Sequence, residues 1–221
     1  IIKKPGDSSV FGFRAIGMTL VHIQNPGDDP GAWKIQEHEV PWTRYAPDGG
    51  EIAFGMPLLK VGNTIYIYGL EADITGKNRY LLVARVAEDR LQEFGDWRFY
   101  SDGQWQREFT RASHLADRFG AELSVSYQPG LGKYVAIYTE GGLSRNIMAR
   151  FAGSPEGPWS EPFVVYRCPE MDWDKDYFCY AAKGHPSLSA RGGELIVSYV
   201  CNSFDFWKMA TDTRIYRPRF L

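Results

Sequence analysis

The chain has 221 residues, enough to bury a sizeable core, and no break in composition marks a second domain. Its formal net charge of −2 gives no electrostatic footing for nucleic acid or an anionic membrane. No apolar run approaches the ~20 residues of a membrane span, while aromatic residues make up 15% of the chain, a content suited to sheet packing and to stacking against sugar rings.

The first residues, Ile1-Ile2-Lys3-Lys4-Pro5-Gly6, include no initiator Met and no signal peptide. Residues 11–45 then read as half of a repeating unit: a strand at 18–22, a turn at Gly31-Ala32-Trp33 and a strand at 35–40. Residues 50–108 carry a whole unit. An apolar strand leads through the turn Val61-Gly62-Asn63 into Thr64-Ile65-Tyr66-Ile67-Tyr68, then a third strand at 80–86 and a fourth after Trp97. Residues 111–118 suit one short helical turn between units. Residues 118–167 repeat the pattern, with Gly130-Leu131-Gly132, then Tyr134-Val135-Ala136-Ile137-Tyr138, a third strand at 146–151 and a Trp turn at Gly157-Pro158-Trp159. Residues 179–221 begin it again, with Arg191-Gly192-Gly193 and Leu195-Ile196-Val197-Ser198-Tyr199, and stop near a third or early fourth strand.

Period-2 alternation of β-branched and aromatic residues, with four strands per unit, predicts an all-β fold: a β-propeller of four-stranded antiparallel blades in one domain over 1–221. The units sum to between three and four blades, whereas propellers usually have four to eight and close to remove their edges. The expectation is a propeller lacking N-terminal blades of the same protein; the alternative is that the two terminal half-blades pair to close a small ring.

With the shared tyrosines in register, Phe54, Glu122 and Lys183 align, and Met56, Ser124 and His185 fall two residues later on the same strand face. Ionisable groups there are costly unless paired or functional. Glu122 is therefore the candidate catalytic carboxyl, or else half of a salt bridge to Lys183. A second polar set follows the shared tyrosines on the loops of the funnel mouth: Glu71 and Asp73, Glu140, and Asn202, Ser203 and Asp205. With Lys183 and His185, all but Asp205 are taken as candidate substrate-binding residues.

Weaker signals bound the chemistry. Asp172, Asp174 and Asp176 alternate, but the loop lacks the Gly and distal Glu of an EF-hand and reads better as a solvated acidic loop. His22, His38 and His114 form no constellation with a Ser or Cys nucleophile. Of the three cysteines, Cys168 and Cys179 bracket a loop and could pair in a secreted protein, leaving Cys201; three free buried thiols are the alternative. No CxxC spacing supports a structural zinc site. No cofactor is required by these residues, and Ca2+ in the central channel, with His185 as a candidate ligand, is the one ion considered.

Two segments carry a family resemblance. Ser154-Pro155-Glu156-Gly157-Pro158-Trp159 resembles the S-P-x-G-P-W turn of five-bladed propeller glycoside hydrolases of the arabinanase and furanosidase group. Residues 179–186 (Cys-Tyr-Ala-Ala-Lys-Gly-His-Pro) with 194–203, and the blade start Gly120-Ala121-Glu122-Leu123-Ser124-Val125-Ser126-Tyr127, are similar to the family called domain of unknown function 4185, some of whose members are endo-D-arabinanases. The resemblance implies a secreted or periplasmic five-bladed enzyme acting on furanose-containing, arabinan-like oligo- or polysaccharide, with paired carboxyl groups as acid and base or nucleophile. Glu122 matches the acid; its partner is expected from an earlier blade. A non-catalytic carbohydrate-binding propeller and a protein-interaction platform are the alternatives.

Overall fold

The computed structural model describes residues 2–3, 12–45, 50–76, 78–189 and 193–221. Residue 11, at the edge of the first half-unit, and residues 191 and 192 of the third Gly turn lie outside them. Strand β1 (Ile2–Lys3) pairs with β2 (Phe13–Arg14), and β3 (Thr19–Ile23) with β4 (Ile35–Glu39), both antiparallel. A six-stranded sheet holds β5 (Arg44–Tyr45), β6 (Glu51–Val61), β7 (Thr64–Ala72), β8 (Arg79–Ala87), β9 (Arg98–Ser101) and β10 (Gln104–Gln106) in sequential order. It is a four-stranded blade, β6 to β9, widened by one short strand at each edge. The next blade is β11 (Leu123–Gln128), β12 (Lys133–Thr139), β13 (Asn146–Ala152) and β14 (Phe163–Arg167). The last sheet has β15 (Tyr177–His185), β16 (Ile196–Ser203) and β17 (Arg219–Phe220), with one short helix, α1 (Phe206–Thr211), inserted before β17.

The alternation of β7 and β12 explains the stacking of sheets. Ile65 and Ile67 face a cluster shared with Val40, Phe54 and Phe99, while Tyr68 and Leu70 face the other way into a cluster shared with Leu123 and Tyr138. Likewise Ala136 and Tyr138 look back toward the preceding blade, and Val135 and Ile137 forward to Tyr199 and Val197. The two four-stranded blades therefore bury both faces, and the first strands β6, β11 and β15 pack side by side. That is the propeller arrangement: four-stranded antiparallel blades in an all-β chain.

The recurring motifs hold the blades together. Gly62 (φ +57°) and Gly132 (φ +59°) occupy left-handed turn positions that side chains disfavour. The Tyr68 hydroxyl donates to the Pro155 carbonyl at 2.9 Å, so the S-P-x-G-P-W turn of one blade docks on the tyrosine of the blade before it. Arg150, whose triplet Met148-Ala149-Arg150 matches Val83-Ala84-Arg85 of the blade before, is buried and ties Tyr138, Ser160 and Asp117 together.

Two expectations are corrected. The helical turn lies at Phe109–Arg111 rather than within 111–118. The backbone after it instead bonds along existing strands: Ser113 N donates to Tyr100 O, Leu115 N to Leu81 O, and Phe119 N to Arg79 O. The disulfide joins Cys179 to Cys201, not to Cys168. Cys179 and Cys201 face each other directly across β15 and β16 with 4.0 Å between Cα atoms, close enough to bridge, and Cys168 stays a buried free thiol. Burial, with the Glu170 charge adding, pushes that thiol up to about 12.

Candidate active site

The antiparallel pairing brings the starts of β6, β11 and β15 to the same end as the finishes of β7, β12 and β16. Glu122 precedes β11 at this end and is half-buried. Along β11, Leu123 and Val125 enter the cluster shared with the preceding blade. By alternation Glu122 shares the opposite face with Ser124, whose Oγ accepts a 2.7 Å hydrogen bond from Gly184 N of β15.

Ser124 of β11 thus meets Gly184 of β15, but the predicted register of Lys183 with Glu122 does not hold. Phe54 opposes Gly69, Leu123 opposes Tyr138, and Tyr180 opposes Val200. Counted from the shared tyrosines, the residue equivalent to Phe54 and Glu122 is Tyr180, not Lys183. The cause is a pair of bulges, one between Phe54 and Leu58 and one between Tyr180 and Lys183, the second carrying Ala181 at φ +57°. Lys183 emerges exposed, and among the described residues no ion pair joins it to Glu122. His185 ends β15, with Nε2 2.6 Å from Ser198 Oγ.

The rim residues fall into two groups. Glu71, Asp73 and Glu140 are each committed to hydrogen-bond partners. Glu71 bonds Arg44 Nη2 at 3.0 Å and His114 Nε2 at 2.8 Å, and the His114 ring stacks on Tyr80. Glu140 accepts from Asn146 Nδ2 at 2.8 Å. Asp73 accepts from Thr75 Oγ1 at 2.7 Å and Asn78 Nδ2 at 2.8 Å, closing the β7–β8 turn. The acidic loop is committed as well: Asp174 and Asp176 both bind Lys208 Nζ at 2.7 Å. Glu122 differs, because among the described residues no hydrogen bond or ion pair holds it.

The second group surrounds a cavity. Asn202 and Ser203, from the end of β16, line a space of about 290 Å3 with Phe178, Tyr180, Phe204 and Phe206. Asp205 caps α1 by accepting from Trp207 N at 2.9 Å, and Phe206, which lines the cavity, is 64% exposed. Burial raises the Tyr180 phenol, the Asn202 amide opposes this by hydrogen bonding it, and the Glu122 charge raises it further. Glu122 does not itself line this cavity, and its charge is a smaller influence on Tyr180 than burial, Asn202 or Tyr216. A groove of about 330 Å3 between Phe163 and Leu195 is larger, but no ionisable side chain lines it. Sequence reading found Asn202 and Ser203 and missed Phe178, Tyr180, Phe204 and Phe206. The available signal was Asp205 as a helix cap among three aromatic residues.

The Thr75 side chain, then Asn78, hold the Asp73 carboxyl down to about 2. A depressed folded-state value stabilises the turn at pH above the unfolded value of about 3.9. That contribution fades below it and is lost as pH falls through about 2. The Thr75 amide resonance is expected to titrate with a midpoint near 2 and to lose this step in Asp73→Asn; a midpoint near 4 would contradict the assignment.

The fold is an all-β propeller, with an aromatic pocket on the last sheet and the Glu122 carboxylate just ahead of β11. The chain belongs to the family described as "Domain of unknown function (DUF5005)", whose model matches residues 2–221. No curated protein matches it. Among solved structures it is similar to a "putative hydrolase" from Bacteroides ovatus ATCC 8483, at 20% identity and TM-score 0.65, over 92% of this chain and 52% of that one. It is also similar to a thermostable family-43 glycoside hydrolase (19% identity, 76% of this chain, 53% of that one, TM-score 0.45). A GH62 hydrolase in complex with xylotriose follows, at 12% identity, 71% and 44% coverage and TM-score 0.45. The likeness to the first is one of fold, and the chain spans about half (52%) of its length. The resemblance to domain of unknown function 4185 has no counterpart among these matches.

No described helix is long and apolar enough to cross a membrane.

Proposed function

We propose that this chain is a carbohydrate-active propeller of the glycoside hydrolase type, acting on furanose-containing, arabinan-like polysaccharide. The observation that carries the reading is Glu122: half-buried, free of hydrogen-bond and ion-pair partners among the described residues, and on the same chain as an aromatic pocket that holds Asn202 and Tyr180, whose phenol its charge reaches weakly. Aromatic rings offer faces on which the apolar side of a sugar can stack, and Asn202 offers an amide for its hydroxyls. A carboxyl beside bound sugar is the group that protonates a leaving glycosidic oxygen. Hydrolysis needs a second carboxyl group about 5–9.5 Å away. Glu71, Asp73 and Glu140 are engaged elsewhere, so none of these three is proposed as that partner. The Cys179–Cys201 disulfide supports a secreted or periplasmic location.

The test is reducing-sugar release from arabinan and arabinogalactan, with calorimetric titration of the oligosaccharides into wild type and Glu122→Gln. The expected result is turnover by wild type, a loss of about 100-fold or more in Glu122→Gln, and unchanged binding. Binding without turnover in the wild type would instead select the carbohydrate-binding reading. Neither binding nor turnover would leave the interaction platform.

A further inference from the structure

Between the second four-stranded blade and the last sheet, four potential metal donors converge in a place the proposed function does not use. Cys168 Sγ, a Glu170 carboxylate oxygen and Cys179 Sγ lie within 4.8 Å of one another. Cys201 Sγ, bonded to Cys179, is 3.7 Å from Glu170 Oε2. None of the four residues is more than 2% exposed. They arrive from two directions: Cys168 and Glu170 from the turn after β14, and Cys179 and Cys201 as a directly opposed pair on β15 and β16.

Glu170 is the unexpected member. A fully buried carboxylate is costly unless firmly paired. Its partners here are loose. The Tyr199 hydroxyl stands 3.2 and 3.3 Å from its two oxygens. Arg219 Nε is 3.1 Å from Oε1, yet that buried nitrogen makes no aligned hydrogen bond. A carboxylate held in this way, aimed at three sulfurs, has acceptor capacity to spare.

We propose that the reduced protein binds Zn2+ here, through Cys168, Cys179, Cys201 and Glu170. A dithiol reductant gives two electrons and two protons to the Cys179–Cys201 bond, leaving two thiols and closing its own disulfide. Zinc then displaces the three thiol protons to solvent and bonds three thiolates and one Glu170 oxygen. Three sulfurs and one oxygen suit the tetrahedral, thiolate-accepting preference of this ion. With Zn–S bonds of about 2.3 Å, neighbouring donors stand roughly 3.8 Å apart, so the cluster contracts by about 1 Å and the disulfide sulfurs separate. The resulting site is net anionic, and Arg219 beside Glu170 offsets that charge from outside the ligand set. Oxidation to the disulfide removes two of the four donors, so the zinc and disulfide forms exclude each other.

The whole chain is reduced anaerobically with a phosphine reductant, given zinc chloride, desalted, and measured for bound zinc by mass spectrometry of the metal. The expected result is about one zinc per reduced chain and none in the oxidised chain. Cys168→Ala and Glu170→Gln are each expected to weaken zinc at least about tenfold against a chromophoric chelator. Cobalt(II) in place of zinc should give thiolate charge-transfer absorption that falls by about a third in Cys168→Ala and persists in Glu170→Gln. Circular dichroism of the oxidised variants reports their folding independently of the metal. The proposal is overturned if the disulfide resists reduction in the folded chain, if reduced wild type retains no zinc, or if zinc is held equally by both variants.

Discussion

Arg150→Met is expected to destabilise the chain by about 3 kcal/mol, read as a lower midpoint in urea unfolding with an unchanged slope. The Arg150 side chain is 4% exposed and spends its donors on four acceptors. Nε reaches the Tyr138 hydroxyl at 3.0 Å, Nη1 the Ser160 carbonyl at 2.8 Å, and Nη2 both the Asp117 carbonyl at 3.1 Å and its carboxylate at 2.9 Å. Those acceptors belong to β12, to the link before β14 and to the segment entering the blade. Methionine fills much of the volume but leaves the buried Tyr138 hydroxyl without this donor and removes the bonds to Ser160 and Asp117, and these lost bonds account for most of the cost. The exposed side of the pair contributes little, because Asp117 is 52% exposed and its attraction is screened. Arg150→Lys keeps the charge and loses the planar fork, so it should fall between wild type and Met. A loss below about 1 kcal/mol for Arg150→Met would mean the network is closed by water and not by the guanidinium.

How far the sequence could be read follows from where its pattern is strict. In β7 and β12 every residue from Ile65 to Tyr68 and from Val135 to Tyr138 is apolar or aromatic because both faces are packed, and that double burial made the repeated unit visible. Glu122 stood out for the same reason, as a carboxylate where Phe54 stands in the preceding blade. The register of the last blade was not legible. Its bulge depends on Ala181 holding φ +57°, a conformation that nothing in an alanine announces. Lys183 therefore appeared level with Glu122 while the chain placed Tyr180 there. The same register sets Cys179 against Cys201, so the disulfide was hidden by the same cause. The aromatic pocket was missed for a different reason: Phe178 and Tyr180 come from β15, while Phe204 and Phe206 come from the insertion around α1, and only the fold joins them.

Trp159→Ala is expected to cost more, about 3–5 kcal/mol, because it empties a junction between blades and not a position within one. Trp159 is 9% exposed, in the cluster that joins Tyr68, Leu81 and Val83 of one blade to Leu123 and Met148 of the next. Its ring meets Tyr68 edge-on at 6.5 Å, and the same tyrosine donates its hydroxyl to Pro155 of the Trp turn. Tyr68→Phe removes only that hydrogen bond, for about 1 kcal/mol. It leaves the buried Pro155 carbonyl without its donor, however, and loosens the turn that positions Trp159. The two losses should therefore be less than additive, with a coupling of 0.5 kcal/mol or more, of the order expected for residues sharing a contact. Strict additivity in this double-mutant cycle would place the Trp159 contribution in generic burial and remove the S-P-x-G-P-W turn as the staple between blades. Destabilisation here also has a functional reading distinct from that of Glu122→Gln. Trp159→Ala should lower the unfolding midpoint while leaving sugar affinity of the still-folded fraction unchanged, because the aromatic pocket is lined mainly from β15, β16 and the segment around α1 and draws no residue from this cluster.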